Sequence, residues 1–336
     1  MAAARIGIIG TGIMGSDHAR ILAAGVAGAE LAGVQDANAE RAALLARETN
    51  ARQFNDAHAL ITDPGIDAIM ICSPDQTHHA LALAAIAAGK PVLVEKPLAS
   101  NSDEARAVMD AEMAHGRRLV QVGFMRRFDP GYRAMKTELL GGRLGQALFL
   151  HCIHRNASAP DYLTSDLIIG SSAGHEFDIA RFLLDEEIVS ASVTSPRASR
   201  LAPGRQPQLI VLESESGVVV DIEVFVDCGY GYDVRGEMVC EKGTVSLDPS
   251  PATRLRHVGH DGFETPPDWR DRFRDAYRLQ MAAWVASFSG RANEGASAWD
   301  GYRAIRVTEA CLEAWRTGAR VTIPAETCPD FYSREA

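Results

Sequence analysis

The first third of the chain alternates short apolar runs with alanine-rich stretches that have helical spacing. Strands that alternate with helices of about 10–15 residues form βαβ units with right-handed crossovers, and such units build a parallel sheet. The pattern predicts strands over 5–10, 30–35, 68–72, 91–95 and 119–123, and helices over 13–24, 39–49, 79–88 and 102–115. We therefore expect a doubly wound α/β domain of five or six parallel strands, with Asn38 capping its second helix.

The pattern changes near Pro130, where successive strand-like runs with short turns replace the alternation. The runs predict strands over 147–156, 188–194, 208–213, 217–226, 233–240 and 243–247, after a helix over 131–140 and before helices over 269–289 and 297–317. Such a succession of strands is typical of a mainly antiparallel sheet. We expect an α/β protein with two domains, 1–125 and 126–336, whose last helices pack back on the first domain.

The composition limits the classes of partner. The 336 residues include 34 Lys and Arg against 44 Asp and Glu, a net charge of −10, which argues against nucleic acid or an anionic membrane as a partner. The longest apolar stretch, 80–88, is far shorter than the about 20 residues that cross a bilayer. The apolar run after Arg5 leads directly into a glycine-rich turn, so we interpret it as a strand and not as a signal peptide. We expect a soluble, cytoplasmic protein.

Cysteine and histidine spacings do not predict a metal site. The six cysteines form no CxxC pair, so reduced thiols are expected. Three histidine pairs resemble metal-ligand spacings only superficially: His78-His79, His151-x-x-His154 and His257-x-x-His260. None has a cysteine or carboxylate companion at a motif distance, and residues three apart on a strand point to opposite faces. We assign no metal.

The sequence GTGIMG places Gly10, Gly12 and Gly15 in a G-x-G-x-x-G spacing at the first strand–helix junction. A plain glycine turn is the alternative interpretation. Glycines at this junction let the backbone approach a pyrophosphate held at a helix N-terminus. Asp36 lies 21 residues beyond Gly15 at the end of the second strand, where a carboxylate accepts ribose hydroxyls and repels a 2′-phosphate. The two features together predict a dinucleotide site that prefers NAD to NADP.

The tripeptide Glu95-Lys96-Pro97 ends the strand predicted over 91–95. Ligands of open α/β sheets collect outside the carboxyl ends of the strands, so Lys96 is expected near the cofactor. The alternative is a solvated surface lysine. Similarly, the arginine pair Arg126-Arg127 would ordinarily lie on the surface.

His175 opens a helical pattern in GSSAGHEFDIARFLLD (170–185), and Asp178 lies three residues further on the same helix face. A buried histidine that satisfies a neighbour is the alternative interpretation. An imidazole nonetheless titrates near neutral pH and is suited to moving a hydroxyl proton.

Seven segments together resemble the Gfo/Idh/MocA family of NAD(P)-dependent oxidoreductases, and most closely its bacterial inositol 2-dehydrogenases: GTGIMG, SPDQTHH (73–79), EKP (95–97), LVQVGFMRRFD (119–129), HCIHRN (151–156), HEFD (175–178) and AWDGY (298–302). The resemblance runs over nearly the whole chain in one order. It implies an NAD-binding Rossmann domain over 1–125, and a substrate-binding and oligomerisation α/β domain with an open, mainly antiparallel sheet over 126–336. It also implies a homotetramer.

The resemblance implies roles for individual residues. The catalytic residues would be Lys96 and His175, with His175 accepting the hydroxyl proton and Lys96 polarising the same oxygen. The cofactor would be bound by Gly10, Gly12, Ile13, Met14, Gly15, Asp36, Ser73, His78, Glu95 and Lys96. The polyol would be bound by Arg126, Asn156, Ser171, His175, Tyr232 and Trp269.

One position departs from the family pattern. Inositol dehydrogenases of this family have an aspartate four residues before the catalytic histidine, where this chain has Ser171. Such a carboxylate would orient the imidazole and stabilise its protonated form, whereas serine can only orient it. Either the substrate differs, or a carboxylate such as Asp166 or Asp178 substitutes, or Lys96 becomes the principal base.

These features predict an NAD-dependent dehydrogenase that oxidises a secondary hydroxyl of a cyclitol or a pyranose sugar. An oxidoreductase of an amino- or deoxy-sugar intermediate is the alternative within the same enzyme class. A dinucleotide-binding protein without catalysis is the alternative outside it, and the presence of both Lys96 and His175 argues against this reading.

Overall fold

The computed structural model describes residues 3–200, 207–247 and 254–333. These residues divide into two units, each with its own large sheet. The first unit consists of the described residues up to Phe128, Asp275–Ile305, and the described residues from Thr327 onward. The second consists of Asp129–Arg274 and Arg306–Glu326, within the described ranges.

The first unit begins with alternating strands and helices. Its elements are β1 (Ala4–Ile9), α1 (Ile13–Gly25), β2 (Ala29–Gln35), α2 (Ala39–Thr49), β3 (Arg52–Phe54), α3 (Ala57–Thr62), β4 (Ala68–Ile71), α4 (His78–Ala87), β5 (Val92–Val94), α5 (Ser102–His115) and β6 (Val120–Val122). The Asn38 side chain accepts a hydrogen bond from the Arg41 N–H, which confirms the predicted cap of α2. The short elements β3 and α3 were not predicted, because three strand residues and six helix residues are too few to show a period.

The sheet of the first unit is entirely parallel, with the strand order β3-β2-β1-β4-β5-β6. The predicted doubly wound fold is therefore confirmed. The chain builds outward from β1 through β2 to β3 and then returns to the other side of β1 with β4. Between β1 and β4 the strand order reverses, and the adjoining crevice is where such sheets bind ligands.

The second unit begins with α6 (Pro130–Leu140) and continues with a series of strands interrupted by two helices. The elements are β7 (Ala147–Arg155), α7 (Ser165–Ser171), α8 (Gly174–Leu184), β8 (Ile188–Thr194), β9 (Gln208–Ser214), β10 (Val219–Phe225), β11 (Asp233–Cys240), β12 (Gly243–Ser246), β13 (Leu255–His257) and β14 (His260–Gly262). Two long helices, α9 (Trp269–Ser287) and α10 (Ala298–Thr317), and the short strand β15 (Val321–Thr322) follow.

The sheet of the second unit has seven strands in the order β12-β11-β7-β10-β9-β8-β15. Only β7 and β10 pair in parallel, so the mainly antiparallel sheet is confirmed. Along β7, Leu150, Cys152 and His154 are buried, whereas Phe149 and His151 between them are exposed. This alternation gives the sheet one buried and one exposed face.

Part of the C-terminal region belongs to the core of the first unit. On α9, Met281, Trp284 and Val285 pack with the apolar residues of β1 and α1. On α10, Trp299 and Tyr302 pack in the cluster on the other side of the sheet. Helix α9 is interrupted at Phe273, close to the division between the two units after Arg274. Within the described residues, no helix combines the length and apolar character needed to span a membrane.

Candidate active site

The glycines of GTGIMG shape a tight turn between β1 and α1. Gly10 has φ of +89°, and a Cβ there would lie 2.4 Å from the Ser73 nitrogen at the end of β4. A Cβ on Gly15 would lie 1.8 Å from the Gly10 carbonyl oxygen. In contrast, a Cβ on Gly12 would meet nothing within 4 Å. Two glycines therefore allow the turn to close, and the third leaves open space in front of the helix.

The N-terminus of α1 suits a phosphate. Its N-cap residue, Gly12, provides no side-chain hydrogen bond to the first turn. The backbone N–H of Ser16 is the first to bond back, to the Gly12 carbonyl at 2.9 Å. The N–H groups of Ile13 and Met14 belong to the turn before it, where a helix leaves its donors for an outside acceptor. These residues fit the pyrophosphate of a dinucleotide.

Asp36 lies directly after β2 and is only 7% exposed. Its carboxylate accepts hydrogen bonds from the Thr11 backbone N–H at 2.6 Å, the Asn38 N–H at 2.8 Å and the Arg41 guanidinium at 2.7 Å. Burial alone would raise the pKa of Asp36, but these hydrogen bonds outweigh it and lower the pKa to about 2. The carboxylate is therefore ionised at neutral pH.

Five donors in all reach the two oxygens of Asp36, including the Thr11 hydroxyl and a second nitrogen of Arg41. A carboxylate has about four lone-pair sites, so ribose hydroxyls must replace some of these donors. The Arg41 side chain is 52% exposed, so it can rotate into solvent with no change to the backbone, whereas Thr11 is buried. With the Arg41 guanidinium moved away, the Asp36 oxygens can accept ribose hydroxyls.

Ser73 and His78 follow β4, on the other side of the crevice from Asp36. The Ser73 hydroxyl lies 2.5 Å from that of Thr77. His78 is 1% exposed, and its ring nitrogens lie 2.9 Å from the Ser73 carbonyl oxygen and 2.6 Å from that of Pro97. A contact between the His78 ring nitrogens and a cofactor would have to replace one of these two contacts.

Glu95 and Lys96 follow β5. Lys96 is partly exposed, whereas Glu95 is 6% exposed and its Oε1 lies 2.7 Å from Nε2 of His18 on α1. Burial would raise the pKa of Glu95, but the hydrogen bond with His18 and the positive charge of Lys96 hold the pKa below its ordinary value. The sequence analysis missed His18. Its position three residues after Gly15 was the available signal, but nothing in the sequence indicated that it would meet Glu95.

Arg126 and Arg127 lie in a 3-10 helix, Met125–Phe128, that follows β6. The alternative of a surface pair is excluded, because Arg126 is 1% and Arg127 is 6% exposed. Arg127 Nη2 lies 2.9 Å from Oδ1 of Asp300, in the AWDGY segment. This buried ion pair joins two of the segments that carry the family resemblance, and both lie in the first unit.

His175 lies in the second unit, in the first turn of α8, and is 8% exposed. Ser171 is the last residue of α7, separated from His175 by the break between the two helices. Asp178 is buried on α8 at 1% exposure. Asp166 lies in the first turn of α7 and accepts a hydrogen bond from Thr164 at 2.5 Å, which lowers its pKa. Asp178 therefore shares the buried environment of His175 to a greater extent than Asp166 does.

Three of the predicted polyol ligands also lie in the second unit. Asn156 directly follows β7, and its Oδ1 is buried with no hydrogen-bond partner among the described residues. Tyr232, before β11, is 5% exposed, and its N–H bonds to the Pro266 carbonyl at 2.7 Å. Trp269 begins α9 and is partly exposed. An unpartnered amide oxygen such as that of Asn156 can accept a hydroxyl of a ligand.

The sequence analysis also missed a second buried histidine–carboxylate pair. His154 Nδ1 lies 3.0 Å from Oε2 of Glu176, and the His154 ring meets the Tyr232 ring edge-on with centroids 5.9 Å apart. Glu176 is the neighbour of His175 in sequence. His151 lies on the other face of β7 and pairs with Asp221. Among the described residues, no group of three His, Cys, Asp or Glu side chains could hold a metal.

Comparison with known proteins gives matches over both units. Residues 4–124 match the oxidoreductase family model for an NAD-binding Rossmann fold, and residues 137–323 match the model for its C-terminal α/β domain. The chain belongs to the Gfo/Idh/MocA oxidoreductase family. The first unit therefore contains the NAD-binding domain of an oxidoreductase, and the resemblance seen in the sequence is confirmed.

Relatives within the family are similar along the whole chain. Inositol 2-dehydrogenase 2 of Saccharopolyspora erythraea is 50% identical over 327 residues, which cover 96% of each chain. Inositol 2-dehydrogenase of Pseudomonas syringae pv. syringae is 42% identical, covering 98% of this chain and all of the relative. Among solved structures, myo-inositol dehydrogenase from Lactobacillus casei in complex with NAD(H) and myo-inositol is 32% identical. Its TM-score is 0.95, and the match covers 98% of this chain and 100% of that one.

Proposed function

We propose that this protein is an NAD-dependent dehydrogenase that oxidises a secondary hydroxyl of inositol or a closely related cyclitol. The observation that carries the proposal is the 50% identity to an inositol 2-dehydrogenase over 96% of both chains. The turn at Gly10, Gly12 and Gly15 and the ionised Asp36 support the cofactor, because they fit a pyrophosphate and an unphosphorylated ribose.

In the proposed reaction, the substrate loses a proton from its hydroxyl group and a hydride from the carbinol carbon. The glycine turn and Asp36 would hold NAD, which would supply the acceptor for the carbinol hydrogen and its electron pair, so that the alcohol becomes a ketone. His175 accepts the hydroxyl proton through a ring nitrogen. The Lys96 ammonium donates a hydrogen bond to the same oxygen and stabilises its developing negative charge.

We propose that Arg126, Asn156, Ser171, Tyr232 and Trp269 bind the polyol. Their side chains offer guanidinium donors, an amide, hydroxyls and an indole N–H, which match a ligand rich in hydroxyl groups. Asn156 has the strongest support of the five, because its buried Oδ1 has no hydrogen-bond partner among the described residues. A buried acceptor left unpaired costs about 1–3 kcal/mol, which a ligand hydroxyl can relieve.

A sugar substrate, either a pyranose or an amino- or deoxy-sugar, is the second candidate, and the inositol 2-dehydrogenase relatives do not favour it. Ser171 is the residue behind this alternative, because the family resemblance implies an aspartate four residues before His175.

The assembly proposed with this function is a homotetramer that acts in the cytoplasm. The exposed face of the second sheet supports the assembly, since Phe149 is 43% and Leu209 is 42% exposed on strands β7 and β9. Apolar side chains exposed on a sheet face are typical of surfaces that bind another chain.

A substrate screen tests the proposed function. Purified enzyme with NAD is assayed for NADH absorbance against myo-inositol, scyllo-inositol, glucose, galactose and an amino sugar. We expect an inositol to give the highest kcat/KM. A sugar with a kcat/KM at least about tenfold higher, or about 1.4 kcal/mol in transition-state binding, would transfer the assignment to the second candidate.

Lys96→Met tests the proposed catalytic role of the lysine. The variant keeps the length of the side chain but has no charge and no donor, so we expect kcat to fall at least about a hundredfold. Calorimetric titration is expected to give a Kd for NAD within about threefold of the wild-type value. If Lys96→Met retained more than a tenth of the wild-type kcat, the lysine would not have this role.

A further inference from the structure

Two buried histidines flank the tripeptide Glu95-Lys96-Pro97 in the first unit. His18 comes from α1 and His78 from α4, and both are 1% exposed. His18 contacts the residue before Lys96, and His78 contacts the residue after it. Both rings are shielded from solvent, so the groups they contact lie within the fold.

On the first side, the Glu95 carboxylate is engaged at both oxygens. Oε1 lies 2.7 Å from His18 Nε2, and Oε2 accepts the backbone N–H of Lys96 at 3.3 Å. A carboxylate only accepts when ionised, so His18 donates through Nε2. His18 Nδ1 is buried with no hydrogen-bond partner among the described residues, so the polar contact that the ring makes there is the one with Glu95.

Neighbouring groups confine this carboxylate further. A Cβ on Gly123 would lie 2.9 Å from Glu95 Oε2, so a larger residue at 123 would displace the carboxylate. The Tyr277 ring meets the His18 ring edge-on with centroids 5.5 Å apart. The main chain of Glu95 is held as well, by its N–H bond to the Ile71 carbonyl at 2.8 Å. The residue before Lys96 is thus fixed in both its side chain and its backbone.

On the second side, His78 holds the backbone after Lys96. Its Nδ1 lies 2.6 Å from the Pro97 carbonyl oxygen, and its Nε2 lies 2.9 Å from that of Ser73. Carbonyl oxygens only accept, and a neutral imidazole has one N–H to donate. The contact with Pro97 is the shorter of the two, so we assign the proton to Nδ1, and His78 donates to the carbonyl of the residue after Lys96.

We propose that His18 and His78 are positioning residues that together orient Lys96 toward the reacting hydroxyl. The inference rests on the proposed catalytic role of Lys96. The two histidines touch neither the substrate nor the reacting atoms, and they act through Glu95 and Pro97. Displacing a catalytic group by about 1 Å can cost about a hundredfold in rate, so a loss of either contact should lower kcat.

Paired substitutions at each histidine test the proposal. Met fills a similar volume without a donor. Gln keeps an amide N–H near the position of Nε2, which faces Glu95 in His18, and Asn keeps one near the position of Nδ1, which faces Pro97 in His78. We expect His18→Met and His78→Met to lower kcat, measured at saturating NAD, at least about thirtyfold, and His18→Gln and His78→Asn to recover kcat to within about fivefold of wild type. The Kd for NAD, measured by calorimetry, is expected to stay within about threefold in the two His18 variants. If His18→Met does not fold, His18→Asn replaces it, because its shorter amide cannot reach Glu95.

Glu112→Gln is the matched control, since Glu112 is an equally buried carboxylate of the same unit that also accepts backbone N–H bonds. It is expected to leave kcat within about twofold of wild type. A double variant, His18→Met with Glu95→Gln, tests whether His18 acts on Lys96 through Glu95. If His18 acts through Glu95, the double variant has a kcat within about threefold of Glu95→Gln alone.

Three outcomes overturn the proposal. The first is Met variants with a wild-type kcat, and the second is that His18→Gln and His78→Asn lose as much kcat as the Met variants. The third is a double variant whose loss of kcat is the product of the two single losses. Hydrogen exchange gives a readout that needs no substrate. The Lys96 amide is expected to exchange at least about tenfold faster in His18→Met than in wild type or His18→Gln, because Glu95 would no longer be held as its acceptor. An unchanged exchange rate would also refute the proposal. A wild-type enzyme inactive on polyols would instead refute only the proposed function.

Discussion

The Asp36 carboxylate accepts hydrogen bonds from Thr11, Asn38 and Arg41, and the pKa of Asp36 is lowered to about 2. A full negative charge therefore lies at the end of β2 at neutral pH. A 2′-phosphate would meet this charge, whereas ribose hydroxyls could donate to it. We predict that NAD binds at least about tenfold more tightly than NADP, or about 1.4 kcal/mol.

Asp36→Ser is expected to reverse or abolish this preference, because it removes the charge and leaves Arg41 free to meet a phosphate. Calorimetric titration with both cofactors measures the effect. Glu40→Ser is the control, since Glu40 is an exposed carboxylate in the first turn of α2 and should not change the ratio of the two Kd values. Equal affinities in the wild-type protein would remove Asp36 from this role.

Ser171 lies at the position where the family resemblance implies an aspartate. A carboxylate introduced there is expected to stabilise the protonated ring of His175. Because the deprotonated ring accepts the hydroxyl proton, we predict that Ser171→Asp moves the acidic limb of the kcat/KM profile for polyol oxidation to higher pH. The profile is measured between about pH 5 and pH 9, where an imidazole titrates.

Ser171→Asn is the control for this experiment, because it has the shape of aspartate without the charge. It should leave the acidic limb in place. A limb that Ser171→Asp does not move, in a variant shown by circular dichroism to be folded, would mean that position 171 does not act on His175.

At the scale of elements, the fold uses a buried carboxylate to connect a helix, a strand and the C-terminal segment of the first unit. Glu112 on α5 accepts the N–H groups of Leu119 and Val120 at 2.6 Å, and the Tyr332 hydroxyl donates to its other oxygen at 2.7 Å. Tyr332 belongs to a 3-10 helix, Asp330–Tyr332. Burial raises the pKa of Glu112 despite these hydrogen bonds, so the ionised form is the costly one.

This shift predicts a pH-dependent stability. Since the pKa of Glu112 is higher in the folded than in the unfolded state, the folded protein retains the proton more strongly. Its free energy of unfolding is then highest below the unfolded pKa of about 4.3 and falls as pH rises through the folded pKa. Glu112→Gln keeps an oxygen that can accept the Leu119 and Val120 N–H groups, and its amide NH2 can donate to the Tyr332 oxygen. Because the amide does not titrate, the stability of the variant relative to wild type should improve with rising pH.

Thermal unfolding at about pH 5 and pH 8 measures this difference, with each kcal/mol worth about 2–4 °C in Tm for a domain of this size. Asp110→Asn is the control, because Asp110 is exposed on the same helix. If the Tm difference between Glu112→Gln and wild type were the same at both pH values, ionisation of Glu112 would not affect stability.

At the scale of the whole molecule, the second sheet predicts self-association. Its exposed face includes Phe149 and Leu209, and the Phe149 ring stacks on His151 with centroids 6.0 Å apart. Light scattering is expected to give a mass of four chains of 36.2 kDa. Phe149→Glu with Leu209→Glu should lower this mass, because charges on an apolar interface are costly to desolvate.

Tyr162→Glu is the control, since Tyr162 is an exposed aromatic residue outside the strands of that sheet. A wild-type protein with the mass of one chain would refute the proposed assembly. So would a double variant that keeps the full mass of the wild type while remaining folded.

Several features follow from the sequence because they depend on local patterns. The βαβ alternation predicted the parallel sheet. One βαβ unit spans about 30 residues, and within it the hydrophobic period identifies the strands and the helix, while the crossover is right-handed. The Gly10-x-Gly12-x-x-Gly15 spacing and the position of Asp36 predicted the dinucleotide turn. Elements that span fewer than two periods, such as β3 and α3, could not be predicted this way.

By itself, the sequence determined the two-part α/β fold, the cofactor-binding turn and the candidates Lys96 and His175. Only the tertiary structure decided that Arg127 is buried against Asp300, that His18 pairs with Glu95, and that His78 holds Pro97. These partners are far apart in the chain, and no local period or motif relates them. A buried polar group must find a partner, but which one it meets depends on how the strands and helices pack.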